Sequence, residues 1–280
     1  MICAWKELLS ILPPPLRPRV DELGKDDLQE LRLRLGKAPE LVLSDKKIHL
    51  TGKVLPEDIH FVVNTASRYS PWAAASASSG YITAPGGHRI GLCGEAVIKD
   101  GAVQGIRSPT SLCIRIARDF PGIGVGVAQA RGNILILGPP GTGKTTLLRD
   151  LIRQLKETVT VVDERGEIFP VAGNGYCFET GLHTDVLTGC SKRQGIAMAL
   201  RTMGPACIAV DEITETEDCR ALTEAGWCGV RLIATAHASS TEDLKGRKVY
   251  RPLLETGLFE DLFVLRKDKS WYTERMVAWH

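Results

Sequence analysis

An α/β fold, with a mostly parallel sheet flanked by helices and a smaller α+β domain before it, follows from three features of the sequence. The runs "NILIL", "TVTVV", "CIAV" and "VRLIATA" are predominantly apolar and do not alternate with charged residues, as expected of strands buried on both faces. Helical stretches separate them, the alternation that builds a parallel sheet. Upstream of residue 120 the pattern is different: short strands of period two, joined by turn residues.

Taken in order, "MICAWKELLSILPPPL" reads as a short amphipathic helix carrying Ile2, Trp5, Leu8, Leu9 and Leu12, stopped by Pro13–Pro15. It has no apolar core of the kind a secretory signal carries, and none is expected. "LQELRLRLG" (28–36) alternates Leu31, Leu33 and Leu35 with Arg32 and Arg34, which is strand spacing. "PELVLSDKKIHL" (39–50) continues as strand and turn. Residues 55–70 open as a helix, with Pro56, Glu57 and Asp58 in the first turn. Strands are expected over 81–84 and 88–98 around a Pro-Gly-Gly turn, and over 111–119. The Gly-rich stretch 120–131 marks a boundary, giving an N-terminal domain over 1–125 and a second over 126–280. Beyond it, "KTTLLRDLIRQLKE" places Leu147, Leu148, Leu151, Ile152 and Leu155 on one helix face.

The totals exclude several classes. Net charge is +2 over 280 residues, so no field argues for direct nucleic-acid binding. No apolar run of membrane-spanning length occurs. The 8 cysteines form no CxxC pair and no zinc spacing, which fits a reducing, cytoplasmic setting.

"GPPGTGKT" (138–145) fits the Walker A phosphate loop in full, between a strand and a helix. Gly138, Pro139, Pro140, Gly141, Thr142 and Gly143 would curl the backbone so that N–H groups face phosphate oxygens. Lys144 would reach the β- and γ-phosphates of ATP. Thr145 would offer its hydroxyl to Mg²⁺, and Thr146 opens the helix beside it. "CIAVD" reads as a Walker B strand, with Asp211 on the metal side and Glu212 able to orient or deprotonate a water. A second acidic pair, Asp163–Glu164, ends the preceding buried strand. His237 stands just past "LIATA", where it can meet the γ-phosphate or its water. His88 and His183 have weaker claims.

Together "GYITAPGGHRIGLCGEAV", "LCIRIARD", "GPPGTGKTTLLRDLIRQL", "VVDERGEI", "TDVLTGCSKRQGIAMALRTMGPACIAVDEI" and "LIATAH" resemble the stage III sporulation protein AA family, ATPases of endospore-forming bacteria. The order of phosphate loop, acidic box, Walker B-like strand and His box is also similar to the type II/IV secretion ATPases, which assemble as hexameric rings. The resemblance implies a RecA/AAA-like P-loop ATPase using ATP and Mg²⁺. It implies a homo-oligomeric ring on the mother-cell side of a membrane, serving membrane proteins of a sporulation channel complex. It assigns Asp211 and Glu212 to the metal side and Asp163–Glu164 to the acidic box, and places Glu164 and His237 among catalytic candidates. The acidic box here reads Asp-Glu-Arg where those ATPases carry Glu-Asp-Pro, and the base is one of Asp163, Glu164 and Glu212. In the secretion ATPases, arginines of the first domain supply charge to the nucleotide; the resemblance implies that at least one of Arg89, Arg115 and Arg118 faces the nucleotide, within its own subunit or across a ring interface, the alternative for each being a surface ion pair. Two other functions share these motifs: a nucleic-acid-associated AAA-type ATPase and a nucleotide-gated scaffold with little turnover.

Overall fold

The computed structural model describes residues 1–67, 80–172 and 175–275. The chain forms two compact units, residues 1–119 with 170–178, and 120–169 with 179–280.

In the first unit, α1 (Trp5–Ile11) buries Leu8 and Ile11, and α2 (Arg17–Asp21) follows the proline run. Ile2 is not part of the helix; it bridges to Asp119. Strands β1 (Leu28–Arg34), β2 (Glu40–Leu43) and β3 (Lys47–His49) come next, then α3 (Pro56–Ala66). The Asp58 carboxylate accepts the Leu55 N–H at 2.9 Å and caps α3. Residues 68–70, the end of the expected helix, lie outside the described residues, as does the small-residue stretch 71–79. Strands β4 (Tyr81–Thr83), β5 (Arg89–Lys99) and β6 (Ala102–Arg115) complete an antiparallel sheet of order β3-β2-β1-β6-β5-β4. The last strand starts well before the expected 111 and ends before 119. The reason is the Asp100–Gly101 turn, both residues at positive φ (52° and 77°), which folds β5 and β6 into one long ribbon.

The second unit is a seven-stranded sheet. Its strands include β7 (Ile134–Leu137), β8 (Val159–Asp163), β11 (Thr184–Thr188), β12 (Cys207–Ile213), β13 (Arg231–Ala236), β14 (Asp261–Leu265) and β15 (Trp271–Arg275), in order β11-β8-β12-β13-β7-β14-β15. All neighbours are parallel except β14 with β15. The short pair β9 (Val171–Ala172) and β10 (Gly175–Tyr176) groups with the first unit. Residues 134–137 are wholly buried, as their unbroken apolar run requires. Helices α4 (Lys144–Gln154), α5 (Lys192–Thr202), α6 (Thr216–Trp227), α7 (Thr241–Gly246) and α8 (Arg251–Thr256) follow strands or loops of this unit. On α4 the buried residues include Leu147, Leu148, Leu151 and Ile152, each worth roughly 1.5–3 kcal/mol of burial.

Register sets the function-bearing edge. Val162 pairs with Val210, Val210 with Ala234, and Ala236 with Leu137. The carboxyl ends of β8, β12, β13 and β7 therefore lie side by side, where ligands sit in open parallel sheets. His183 is not at this edge. Its carbonyl accepts the N–H of Val159 at the start of β8, so it lies at the opposite end of the strands.

Candidate active site

The phosphate loop leaves β7 at Gly138 and enters α4 through Gly143. Gly141 (φ 76°) and Gly143 (φ 98°) take left-handed conformations that L side chains resist. Thr142 is held inside the loop by a 2.8 Å hydrogen bond from its hydroxyl to Pro139 O. Lys144 is buried at the centre. Its ammonium donates to Gly138 O (2.8 Å) and Pro139 O (3.1 Å) and lies 3.0 Å from His237 Nδ1. An ammonium only donates, so Nδ1 accepts and the imidazole proton sits on Nε2. That nitrogen is 3.0 Å from Glu212 Oε1, to which it donates. Burial pulls the Lys144 pKa down, opposed by Asp211 and Glu212.

Asp211 and Glu212 sit at an irregularity in β12, where the pairing to β13 shifts between Val210 and Ile213. A bulge of this kind re-aims side chains at a strand end. Asp211 Oδ2 accepts the Thr145 hydroxyl at 2.7 Å, and Oδ1 accepts that of Thr235 at 2.6 Å. Glu212 adopts φ 41°, a strained value for a non-glycine residue, and its N–H donates to Thr235 Oγ1 at 2.8 Å. Its carboxylate meets Arg165 at 3.3 Å as well as His237. The hydroxyl and carboxylate of Thr145 and Asp211 are the hard oxygen donors that suit Mg²⁺, and the loop supplies the backbone cradle that suits a nucleotide's phosphates.

The two members of the second acidic pair behave differently. Asp163 is almost fully buried, and its carboxylate accepts three backbone N–H groups, those of Glu167 (2.8 Å), Ile168 (2.9 Å) and Phe169 (2.9 Å). It is the internal clasp of the turn that follows β8. Burial raises its pKa to about 6, with the backbone hydrogen bonds pulling the other way. Arg149 on α4 donates to Ile168 O and to Glu167 O, tying the same turn to the phosphate-loop helix. Glu164 points instead to Lys192 Nζ, 2.6 Å away. Asp163, Glu164, Arg165, Glu167, Lys192, Asp211 and Glu212 line one cleft.

The structure thus brings the phosphate loop, Asp211, Glu212 and His237 into one hydrogen-bonded chain, with Glu164 across the cleft. Sequence reasoning missed Lys192, Arg149, Arg165 and Lys269. The last lies in the β14–β15 turn and donates to Gly141 O at 2.6 Å. None carries a local motif; only the tertiary fold puts them beside the loop.

In the first unit, Arg118 donates to Lys25 O (2.7 Å) and Leu28 O (2.5 Å), Arg115 approaches Glu30 at 3.4 Å, and Arg89 stacks on Tyr81. His88 is a core residue: Nδ1 accepts the Ala117 N–H and Nε2 donates to Ala4 O. Burial lowers its pKa. Among the described residues no cluster of His, Cys, Asp and Glu forms a metal site of their own, and no helix is long and apolar enough to cross a membrane.

This architecture is the fold of secretion and pilus ATPases. The structure of the Yersinia pseudotuberculosis ATPase DotB is similar over 95% of this chain and 79% of that one, with a TM-score of 0.60 at 16% identity. The pilus retraction motor PilT, solved with bound ADP, is similar over 95% of this chain and 78% of that one, with a TM-score of 0.59 at 15% identity. The sequence fits the family described as "Sporulation stage III, protein AA" over residues 6–275, and the chain belongs to that family. Stage III sporulation protein AA of Bacillus subtilis (strain 168) is 35% identical over 281 aligned residues, covering 94% of this chain and 92% of that protein.

Proposed function

We propose that this chain is a Mg²⁺-dependent ATPase that works as a ring-shaped homo-oligomer, a hexamer, and energises a membrane protein complex of sporulation from the mother-cell side. One observation carries the enzymatic part: Thr145 in the first turn of α4 and Asp211 at the end of β12 meet at 2.7 Å beside a complete phosphate loop. A bound Mg²⁺ would supply charge neutralisation for the departing phosphate. The protein's own groups divide the remaining work. Backbone N–H groups of Gly141–Thr145 bind phosphate oxygens, and Thr146 extends that helix N-terminus. Lys144 exchanges its loop carbonyls and His237 for the β- and γ-phosphates. Released from Lys144, Nδ1 of His237 is left as an acceptor for a water beside the γ-phosphate, while Nε2 stays on Glu212. Glu212 and Glu164 are the two carboxylates placed to orient and deprotonate water; Asp163 is committed to its turn.

The oligomeric and membrane parts rest on family membership and on the fold shared with the secretion ATPases. The near-neutral charge favours protein partners over nucleic acid. The test is molecular mass in solution with ATP and Mg²⁺, run beside ATPase rate against protein concentration. A ring active across its interfaces gives a six-fold mass and a specific activity that rises with concentration. A monomer of constant specific activity contradicts the ring. An oligomer that binds ATP without turnover supports the scaffold reading instead.

A further inference from the structure

Lys192 is the first residue of α5, after the N-cap Ser191, whose Oγ accepts the Gln194 N–H at 3.3 Å. Its side chain is only 6% exposed. A cation at a helix N-terminus opposes the helix dipole, and a buried ammonium costs desolvation. Neither helix stability nor packing explains a lysine there, since an apolar side chain would satisfy both. What offsets the cost is a pair of carboxylates, Glu164 at 2.6 Å and Asp218 at 3.6 Å. Asp218 is itself fixed: it accepts the N–H groups of Thr214 (3.0 Å) and Glu215 (3.2 Å) and caps α6. Lys192 therefore ties Glu164 to a rigid frame.

The backbone is arranged for this contact. Gly195 lies one turn further along α5, and a Cβ there would stand 2.3 Å from Val162 Cγ1. Without one, α5 settles directly onto β8. Val162 is two residues before Glu164, so the approach at Gly195 sets the reach of Lys192.

We propose that Lys192 is the positioning residue for Glu164, holding its carboxylate in the cleft beside Asp211 and Glu212 so that it can act on the attacking water. The proposal rests on the ATPase reading above. Glu164 alone, more than a third exposed on a surface turn, would sample many rotamers. Clamped to a buried ammonium it keeps one position, and a fixed carboxylate is what general-base action requires.

The test uses the full chain in five forms: wild type, Lys192→Met, Lys192→Arg, Glu164→Gln and the Lys192→Met/Glu164→Gln pair. Three quantities are read: urea midpoints without nucleotide, affinity for a fluorescent ATP analogue with Mg²⁺, and single-turnover hydrolysis. Lys192→Met is expected to slow the single turnover by at least about tenfold. Its nucleotide affinity should stay within about threefold of wild type, since the residue does not touch the phosphate loop. Lys192→Arg should recover part of the rate. The double variant should be no slower than Glu164→Gln, and the four urea midpoints of the cycle should be non-additive. Wild-type turnover in Lys192→Met or Glu164→Gln, rate losses that multiply, or additive midpoints each overturn the proposal. A wild-type chain that binds but never hydrolyses removes the ATPase reading, and the urea cycle still decides the Lys192–Glu164 coupling.

Discussion

Replacing Gly195 with alanine should destabilise the parallel-sheet unit although alanine is the better helix former. The added Cβ would meet Val162 Cγ1 at 2.3 Å, Val162 Cγ2 at 3.2 Å and Cys190 Sγ at 3.1 Å. Carbon pairs rest at about 3.5–4.0 Å, so helix and strand must part by roughly 1 Å or Val162 must leave its rotamer. Val162 has little room: it is fully buried, and β8 is hydrogen-bonded to β11 on one side and β12 on the other. Overpacking costs about 1–3 kcal/mol, and a contact as short as 2.3 Å against a fully buried side chain puts this one in the upper part of that range, about 2–3 kcal/mol. The gain in helix propensity returns about 0.8–1 kcal/mol. The net loss is about 1–2 kcal/mol, a fall in urea midpoint of roughly 0.3–0.7 M at a slope near 3 kcal/mol/M. Urea unfolding of the full chain at neutral pH measures it. Val162→Ala in the same chain removes the clashing methyls, so the pair should lose less than the sum of the singles. A Gly195→Ala chain as stable as wild type, or more so, would show that α5 is not seated on β8 as closely as described.

The strained strand end and the buried clasp give two more tests. Glu212→Gly should be more stable than Glu212→Ala by about 1 kcal/mol, because only glycine occupies φ 41° without penalty; equal urea midpoints would mean no strain is stored there. Asp163 has a folded-state pKa of about 6 against an ordinary 3.8, so its contribution to stability is fully present below pH 4 and lost as pH rises through 6. The span is up to about 3 kcal/mol. The stability of wild type relative to Asp163→Asn should therefore fall between pH 4 and pH 7, and a difference flat across that range would contradict the assignment.

Much of this fold is legible in the sequence because its signals are local. Predominantly apolar runs announce β7, β8, β12 and β13, and the phosphate loop needs no tertiary context. The Asp100–Gly101 turn is an equally local signal, and reading it would have joined β5 to β6 correctly. Strand β11 is harder: "TDVLT" is an edge strand, only partly buried, so it lacks an apolar run. Residues 261–265 and 271–275 form a hairpin whose turn carries Lys269 at φ 70°, where glycine or asparagine is the usual marker. The division of labour in the Asp163–Glu164 pair could not be read at all. Two adjacent carboxylates look alike in sequence; one faces the amides of its own turn, and the other a lysine twenty-eight positions on. Lys192 itself looks like one more surface cation of "SKRQG" until helix packing buries it.

The central claim is that the cluster around Thr145 and Asp211 turns over ATP with Mg²⁺. The direct measurement is phosphate release by the purified full chain, with Mg²⁺ and with the metal chelated, beside Lys144→Ala and Asp211→Asn. The account predicts release that requires Mg²⁺ and is lost in both variants, while the variants keep the wild-type fold by circular dichroism. Release that persists at the wild-type rate without Mg²⁺, or in a folded Lys144→Ala chain, would contradict it.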